Sequence, residues 1–160
     1  MDFKKIYMVC MVAALAGCAT PPKTHMTLAE KGQYVANTDS ATEIAGLPSD
    51  KLAVISNIAF IDESNIVPAV KGTRFGLSYD VTGEDTQVIH QITFPPMTDP
   101  TTGKTVESIT YNQAITTGNT FFGYYLSEDW EVVPGKWTFS VIMDDDVVLT
   151  EEFTLEKPVY

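Results

Sequence analysis

Residues Arg74 to Val81 alternate without a break: Phe75, Leu77, Tyr79 and Val81 are apolar, and Arg74, Gly76, Ser78 and Asp80 are polar or small. Two is the side-chain period of a β-strand, so the segment is predicted to bury one face and wet the other. Trp137, Phe139, Val141 and Met143 repeat the pattern, as do Val88, His90, Ile92 and Phe94. Leu52 to Ile61 and Thr120 to Leu126 are more continuously apolar, as expected for central strands with two covered faces. Val147 to Leu155 adds another strand, with Glu151 on its apolar register. A bulge near Glu151-Glu152 is expected to swing that carboxylate outward. Turn residues break the runs at Thr82-Gly83-Glu84-Asp85, Pro95-Pro96, Asp99-Pro100, Pro134-Gly135 and Asp144-Asp145-Asp146.

Helix signals are few. Thr27 and Glu30 have capping-box spacing, but Gly32 and the β-formers Tyr34 and Val35 follow within two turns. Lys31 to Asn37 is therefore expected as the first strand, and Asp39 to Asp50 as a loop or short helix bounded by Gly46 and Pro48. Seven or eight short strands with close turns predict an all-β chain. Its expected form is a single antiparallel β-sandwich, immunoglobulin-like, with a closed barrel as competitor.

The N-terminus follows another logic. Lys4 and Lys5 precede the uncharged stretch Ile6 to Ala16, and small residues follow, which is the order of a secretory signal. As a helix that stretch reaches roughly 16 Å, against about 30 Å of bilayer core, so a permanent span is not expected. Leu15-Ala16-Gly17-Cys18 resembles the lipobox of bacterial lipoproteins. The resemblance implies that 1–17 is a lipoprotein signal peptide and that Cys18 is the lipid attachment site and mature N-terminus. Residues 18–27 then form a lipidated tether, extended by Pro21-Pro22, and 28–160 the β-sandwich domain. One acyl chain binds a membrane only marginally, whereas the two or three on a lipoprotein cysteine anchor it permanently. Ala19, standing where an aspartate would resemble an inner-membrane retention signal, implies the cell outer membrane, with the domain facing the periplasm. Cys10, the second of two cysteines, falls in the discarded segment, so no disulfide, thiolate metal site or cysteine nucleophile is expected.

Ten Lys+Arg against 21 Asp+Glu give a formal net charge of −11, and loss of 1–17 would leave the remainder more acidic still. Phosphate recognition needs clustered cations, so nucleic acid and anionic headgroups are disfavoured as partners.

The C-terminal third runs Trp130-Glu131-Val132-Val133-Pro134-Gly135-Lys136-Trp137-Thr138-Phe139-Ser140-Val141, then by hairpin to Leu149-Thr150-Glu151-Glu152-Phe153-Thr154-Leu155. This resembles a bacterial family of domains of unknown function whose penultimate strand opens Pro-Gly-x-Trp-x-Phe. Val67 to Gly76, Phe94-Pro95-Pro96-Met97 and Pro100 to Lys104 look like the same family, so the similarity spans most of residues 30 to 157. It implies a fold and no activity.

Thr98 to Thr105 ends like a phosphate-binding loop, but Thr98 replaces its first glycine and no helical pattern follows. Asp144-Asp145-Asp146 lacks the spacing of a calcium loop and reads as a solvated hairpin turn. Glu151-Glu152 and Glu128-Asp129 are the carboxylates available to a hydrolase. His90, on an apolar register without cysteine or histidine partners, reads as a core histidine. No catalytic residue, metal or cofactor is expected. Ligand or partner contacts are expected at Trp130, Tyr124 and Tyr125, with Trp130 exposed among Glu128, Asp129 and Glu131. The expectation is a non-enzymatic envelope lipoprotein binding or scaffolding other envelope proteins. The alternatives are a carbohydrate-binding module using exposed aromatics and a carboxylate-dependent hydrolase.

Overall fold

The computed structural model describes residues 23–43 and 51–159. The expected signal peptide 1–17, Cys18, the first part of the tether and residues 44–50 lie outside the described residues.

Among the described residues nine strands form two sheets: β1 (His25–Glu43), β2 (Lys51–Asp62), β3 (Ile66–Pro68), β4 (Arg74–Thr82), β5 (Thr86–Thr98), β6 (Thr105–Ile115), β7 (Gly118–Tyr125), β8 (Gly135–Met143) and β9 (Asp146–Glu156). The first sheet is ordered β2-β1-β4-β7 and the second β3-β9-β8-β5-β6. All neighbours are antiparallel except β3 and β9. The chain is an antiparallel, immunoglobulin-like sandwich, as its strand periods predict. Among the described residues no cysteine pair pins the two sheets. Instead Phe75 meets Trp137, Phe139 and Phe153 edge-on at 5.4, 5.6 and 5.6 Å, an arrangement favoured by ring quadrupoles.

The period-two strands behave as expected on their inner faces. Phe75, Leu77, Tyr79 and Val81 are buried, opposite Val88, Ile92, Trp137, Phe139 and Val141 of the second sheet. The outer face of β4 is wet at Asp80 but not in its middle, where Gly76 and Ser78 are also buried. Tyr34 of β1, Phe60 of β2 and Phe121 of β7 form an aromatic cluster over that face, with Tyr34 and Phe121 centroids 4.8 Å apart. Gly76 pairs with Gly123, and a side chain at Gly123 would run into the rings of Phe121 and Tyr34. The small residues on β4 therefore make room for an aromatic layer.

Four readings need correction. β1 starts at His25, so the tether ends sooner than residue 27; His25 pairs with Thr82 and Met26 with Val81. β1 also runs on to Glu43, through the first five residues of the stretch expected as loop or helix. Its length was hidden because register shifts at Leu28/Glu30, Gln33/Tyr34, Val35/Asn37 and Thr38/Ser40 keep resetting the alternation. β2 is an edge strand, with Val54 and Ile61 exposed, and β7 is the other edge of the same sheet. Continuous apolarity in β7 reports one buried face and one half-covered by the aromatic cluster, not a central place. In β9 the bulge falls between the pairs Val141–Leu149 and Ile142–Val147, so Glu151 keeps its inward register. Its carboxylate is met there by Lys31 of β1, 2.9 Å away across the sandwich.

Two turns match their sequences. Asp144 (φ 52°) and Asp145 (φ 66°) form the two-residue turn joining β8 to β9, with both central residues left-handed as a type I′ hairpin requires. Gly135 (φ 128°) lets the chain pass Pro95, whose Cγ would lie 2.8 Å from an added Cβ. Trp137 then enters the core and its Nε1 donates to the Val133 carbonyl at 3.1 Å.

Candidate functional site

β6 and β7 are consecutive in the chain but lie at the edges of different sheets. Among the described residues each therefore leaves one long edge without a strand partner on that flank of the sandwich. A groove of about 1440 Å³ opens there. Phe121, Gly123 and Tyr125 of β7 line it together with Ile109 and Tyr111 of β6, and the far end of the β1–β2 hairpin, including Leu52 and Ile55, forms a further wall. The rim is polar: Asp99 in the β5–β6 turn, Glu128 and Asp129 after β7, and Arg74 at the start of β4.

The loop after β7 is built around Glu131, which is 1% exposed. Its carboxylate accepts four hydrogen bonds: from the Ser127 N–H (2.7 Å), the Ser127 hydroxyl (2.9 Å), the Glu128 N–H (2.9 Å) and the Tyr124 hydroxyl (3.0 Å). A buried carboxylate needs such donors, since without them its desolvation is uncompensated. Burial, with the Glu131 carboxylate beside it, pushes the Tyr124 phenol far above its ordinary range. The single 3-10 turn Asp129–Glu131 then presents Trp130 to the groove, half-buried against the core. The sequence pointed to Glu131 as one of several exposed acids; it is the buried anchor of the loop. The capping-box signal that would have revealed it is disguised, because a glutamate, Glu128, takes the N-cap place usually held by serine or threonine.

The three expected contact residues are brought together at this groove but differ in what they offer. Tyr124 is only 8% exposed and its hydroxyl is engaged by Glu131, so it forms floor and not contact surface. Tyr125 is 40% exposed, and Arg74 lies over its ring at 4.3 Å while donating to the Thr38 hydroxyl at 3.0 Å. That cation covers one face of the ring. Trp130 stays half-open at the groove wall.

Of the two acidic pairs, Glu128 and Asp129 stay together at the groove rim, where both face Lys71 at 3.5 and 3.7 Å, but Glu151 and Glu152 diverge. Glu151 faces inward to Lys31, while Glu152 points outward to Lys136. In the β5–β6 turn, Asp99 accepts from the Thr101 N–H (2.7 Å) and the Thr102 hydroxyl (2.9 Å), bonds that hold its carboxyl below the usual range. The turn thus satisfies its own donors, and the stretch resembling a phosphate loop is a hairpin.

His90 is fully buried and stacked on Phe122 at 4.0 Å. Its Nε2 lies 2.8 Å from the Tyr79 hydroxyl and its Nδ1 3.2 Å from the Tyr111 hydroxyl. Burial pushes the imidazole down to about 4. A neutral ring has one donor and one acceptor nitrogen, so one tyrosine donates to it and the other accepts. The network joins β4 of one sheet to β5 and β6 of the other, and both nitrogens are occupied. Among the described residues no group of three or more His, Cys, Asp or Glu side chains is placed to hold a metal.

Comparisons with known proteins agree with the fold. The chain is similar in structure to an immunoglobulin-like protein (PA1606) from Pseudomonas aeruginosa, with a TM-score of 0.66 and 20% identity over 86% of this chain and 100% of that one. At that identity the likeness concerns architecture alone. No curated protein matches the sequence. The family described as Domain of unknown function (DUF3859) matches residues 23–155, from just before β1 to the penultimate residue of β9. The chain belongs to the DUF3859 family, and its domain is an immunoglobulin-like sandwich.

Proposed function

We propose that this protein is a non-enzymatic lipoprotein of the cell envelope, anchored through Cys18, whose sandwich docks a partner protein in the groove between β6 and β7. The observation that carries the docking role is the groove itself: two free strand edges, an apolar floor and a polar rim in one concavity. Binding sites are commonly concave and mainly apolar with a few placed polar groups. The lipobox-like Leu15-Ala16-Gly17-Cys18 supports the anchor. β1 begins at His25, so seven residues from Cys18 span at most about 25 Å, and the domain stays close to its membrane. A glycan reading is less well supported, because a sugar stacks on an open ring face. Tyr124 is buried and Tyr125 is covered by Arg74.

The test places a photo-crosslinking amino acid at Trp130 and, separately, at exposed Val147 in the β8–β9 hairpin of the full-length protein in its host. A recurrent adduct from position 130 alone supports docking in the groove. Equal adducts from both positions, or none from 130, overturn it. Intact-mass analysis of the native protein is expected to find Cys18 as the N-terminal residue carrying acyl chains; a bare thiol or an uncut precursor overturns the anchor.

A further inference from the structure

β7 is an edge strand, and its hydrogen-bonding phase can be read from its end. The Leu126 N–H donates to the Thr73 carbonyl at 3.0 Å, and the Leu126 carbonyl accepts from the Gly72 N–H at 2.8 Å. Both groups face the β4 side. Backbone direction alternates along an antiparallel strand, so Phe122 and Tyr124 also face β4, while Phe121, Gly123 and Tyr125 turn their N–H and C=O groups outward. Those three residues line the groove. Among the described residues no strand pairs with that side of β7.

Edge strands are usually protected by charge, proline or an outward bulge. β7, Gly-Asn-Thr-Phe-Phe-Gly-Tyr-Tyr, has no charged residue and no proline, and its pairing with β4 shows no register shift. Around this edge the groove carries Asp99, Glu128 and Asp129 against Arg74, on a chain with net charge −11. Lys71, outside the groove lining, lies 3.5 Å from Glu128 and 3.7 Å from Asp129, so those two carboxylates outnumber the one cation that they share. The uncharged edge therefore sits inside an acidic rim. A second copy of this acidic chain would bring like charges together there, whereas a basic strand would bring opposite ones.

From this we infer that the outward edge of β7 takes an extended, basic segment of the partner protein as an added strand, with its cationic side chains toward Glu128 and Asp129. The inference rests on the groove being the docking site. Main-chain hydrogen bonds from Phe121, Gly123 and Tyr125 supply sequence-independent affinity, and alternate side chains of the incoming strand supply choice.

The experiment uses the full-length protein in detergent and three synthetic peptides. One alternates lysine and valine. The second has the same sequence with N-methyl groups on alternate backbone nitrogens, which keeps charge and removes pairing. The third alternates glutamate and valine. Binding is read by calorimetry, and strand addition by amide hydrogen exchange. The lysine peptide is expected to bind at least about tenfold more tightly than either control, and to slow exchange at Phe121, Gly123 and Tyr125. Glu128→Lys together with Asp129→Lys should remove about tenfold of that affinity, at side chains that are exposed. Equal binding of the N-methylated peptide overturns strand addition. So does absence of binding, or a dimer paired through β7 in sedimentation. A groove adduct from position 130 in the same protein would then leave docking intact and this inference alone refuted.

Discussion

His90 and Glu131 are both ionisable side chains shut away from water, and the fold equips them in opposite ways. His90, in the middle of the sandwich, meets two phenol hydroxyls that can each donate or accept. That setting serves a neutral ring. Glu131, at the groove, meets two hydroxyls and two backbone N–H groups, and the N–H groups can only donate, a setting that suits an acceptor oxygen. One site ties the two sheets together; the other ties the Trp130 loop to β7. Burial does not decide how a titratable group behaves until the donor and acceptor roles of its neighbours are counted.

The largest expected effect is at Glu131. Glu131→Ala strips the acceptor from two backbone N–H groups and two hydroxyls at once, and should cost about 4 kcal/mol in urea unfolding. Trp130 fluorescence should change with it, since the turn presenting that ring loses its anchor. A cost below about 1 kcal/mol would mean that water replaces the carboxylate, and the loop would not be held as described.

His90 should show itself through pH. Its folded value, about 4, lies below the ordinary 6.5, so the unfolded chain binds a proton that the folded chain refuses. Its contribution is complete above pH 6.5 and is lost as pH falls toward 4, about 3 kcal/mol in all. Carboxylates titrate in part of the same window, so the measurement is the difference between the wild type and His90→Phe. The variant keeps the stack on Phe122 but leaves the Tyr79 and Tyr111 hydroxyls unpaired, at about 2 kcal/mol near neutrality. Between pH 6.5 and 4 the two stability curves should converge or cross. Parallel curves would show that His90 titrates alike in both states, and the contrast with Glu131 would fall.

The two sites also differ in how far they could be read from sequence. His90 was legible because it sits on an unbroken period-two register between Val88 and Ile92, and strand periodicity assigns such a residue to the core. Strands β4, β5 and β8 were legible for the same local reason, and the Asp-rich hairpin by its turn residues. Glu131 was not, because its burial comes from a single turn of chain closing on Tyr124, with no period to betray it. β1 escaped through its register shifts, and the place of β2 at an edge depends on which strands pair, information that no single strand carries. The groove depends on the free edges of β6 and β7, which exist only after both sheets are assembled. Its aromatic members were visible as residues; its acidic rim and its backbone edge were not visible as a site.

Lys31 and Glu151 supply the intermediate case and the smallest expected effect. The pair spans the sandwich between β1 and β9, yet its side chains keep 31% and 19% of their exposure, so water still screens both charges. A double-mutant cycle with Lys31→Met and Glu151→Gln should give a coupling of about 1 kcal/mol, weaker at high salt. Either single variant should be mild, because the orphaned partner can turn toward solvent, an escape that the donors around Glu131 lack. If the coupling matched the cost of Glu131→Ala and ignored salt, exposure would not be what separates these sites. Donor count would then be the weaker explanation for Glu131, and the pairing of charge across the sheets the stronger one.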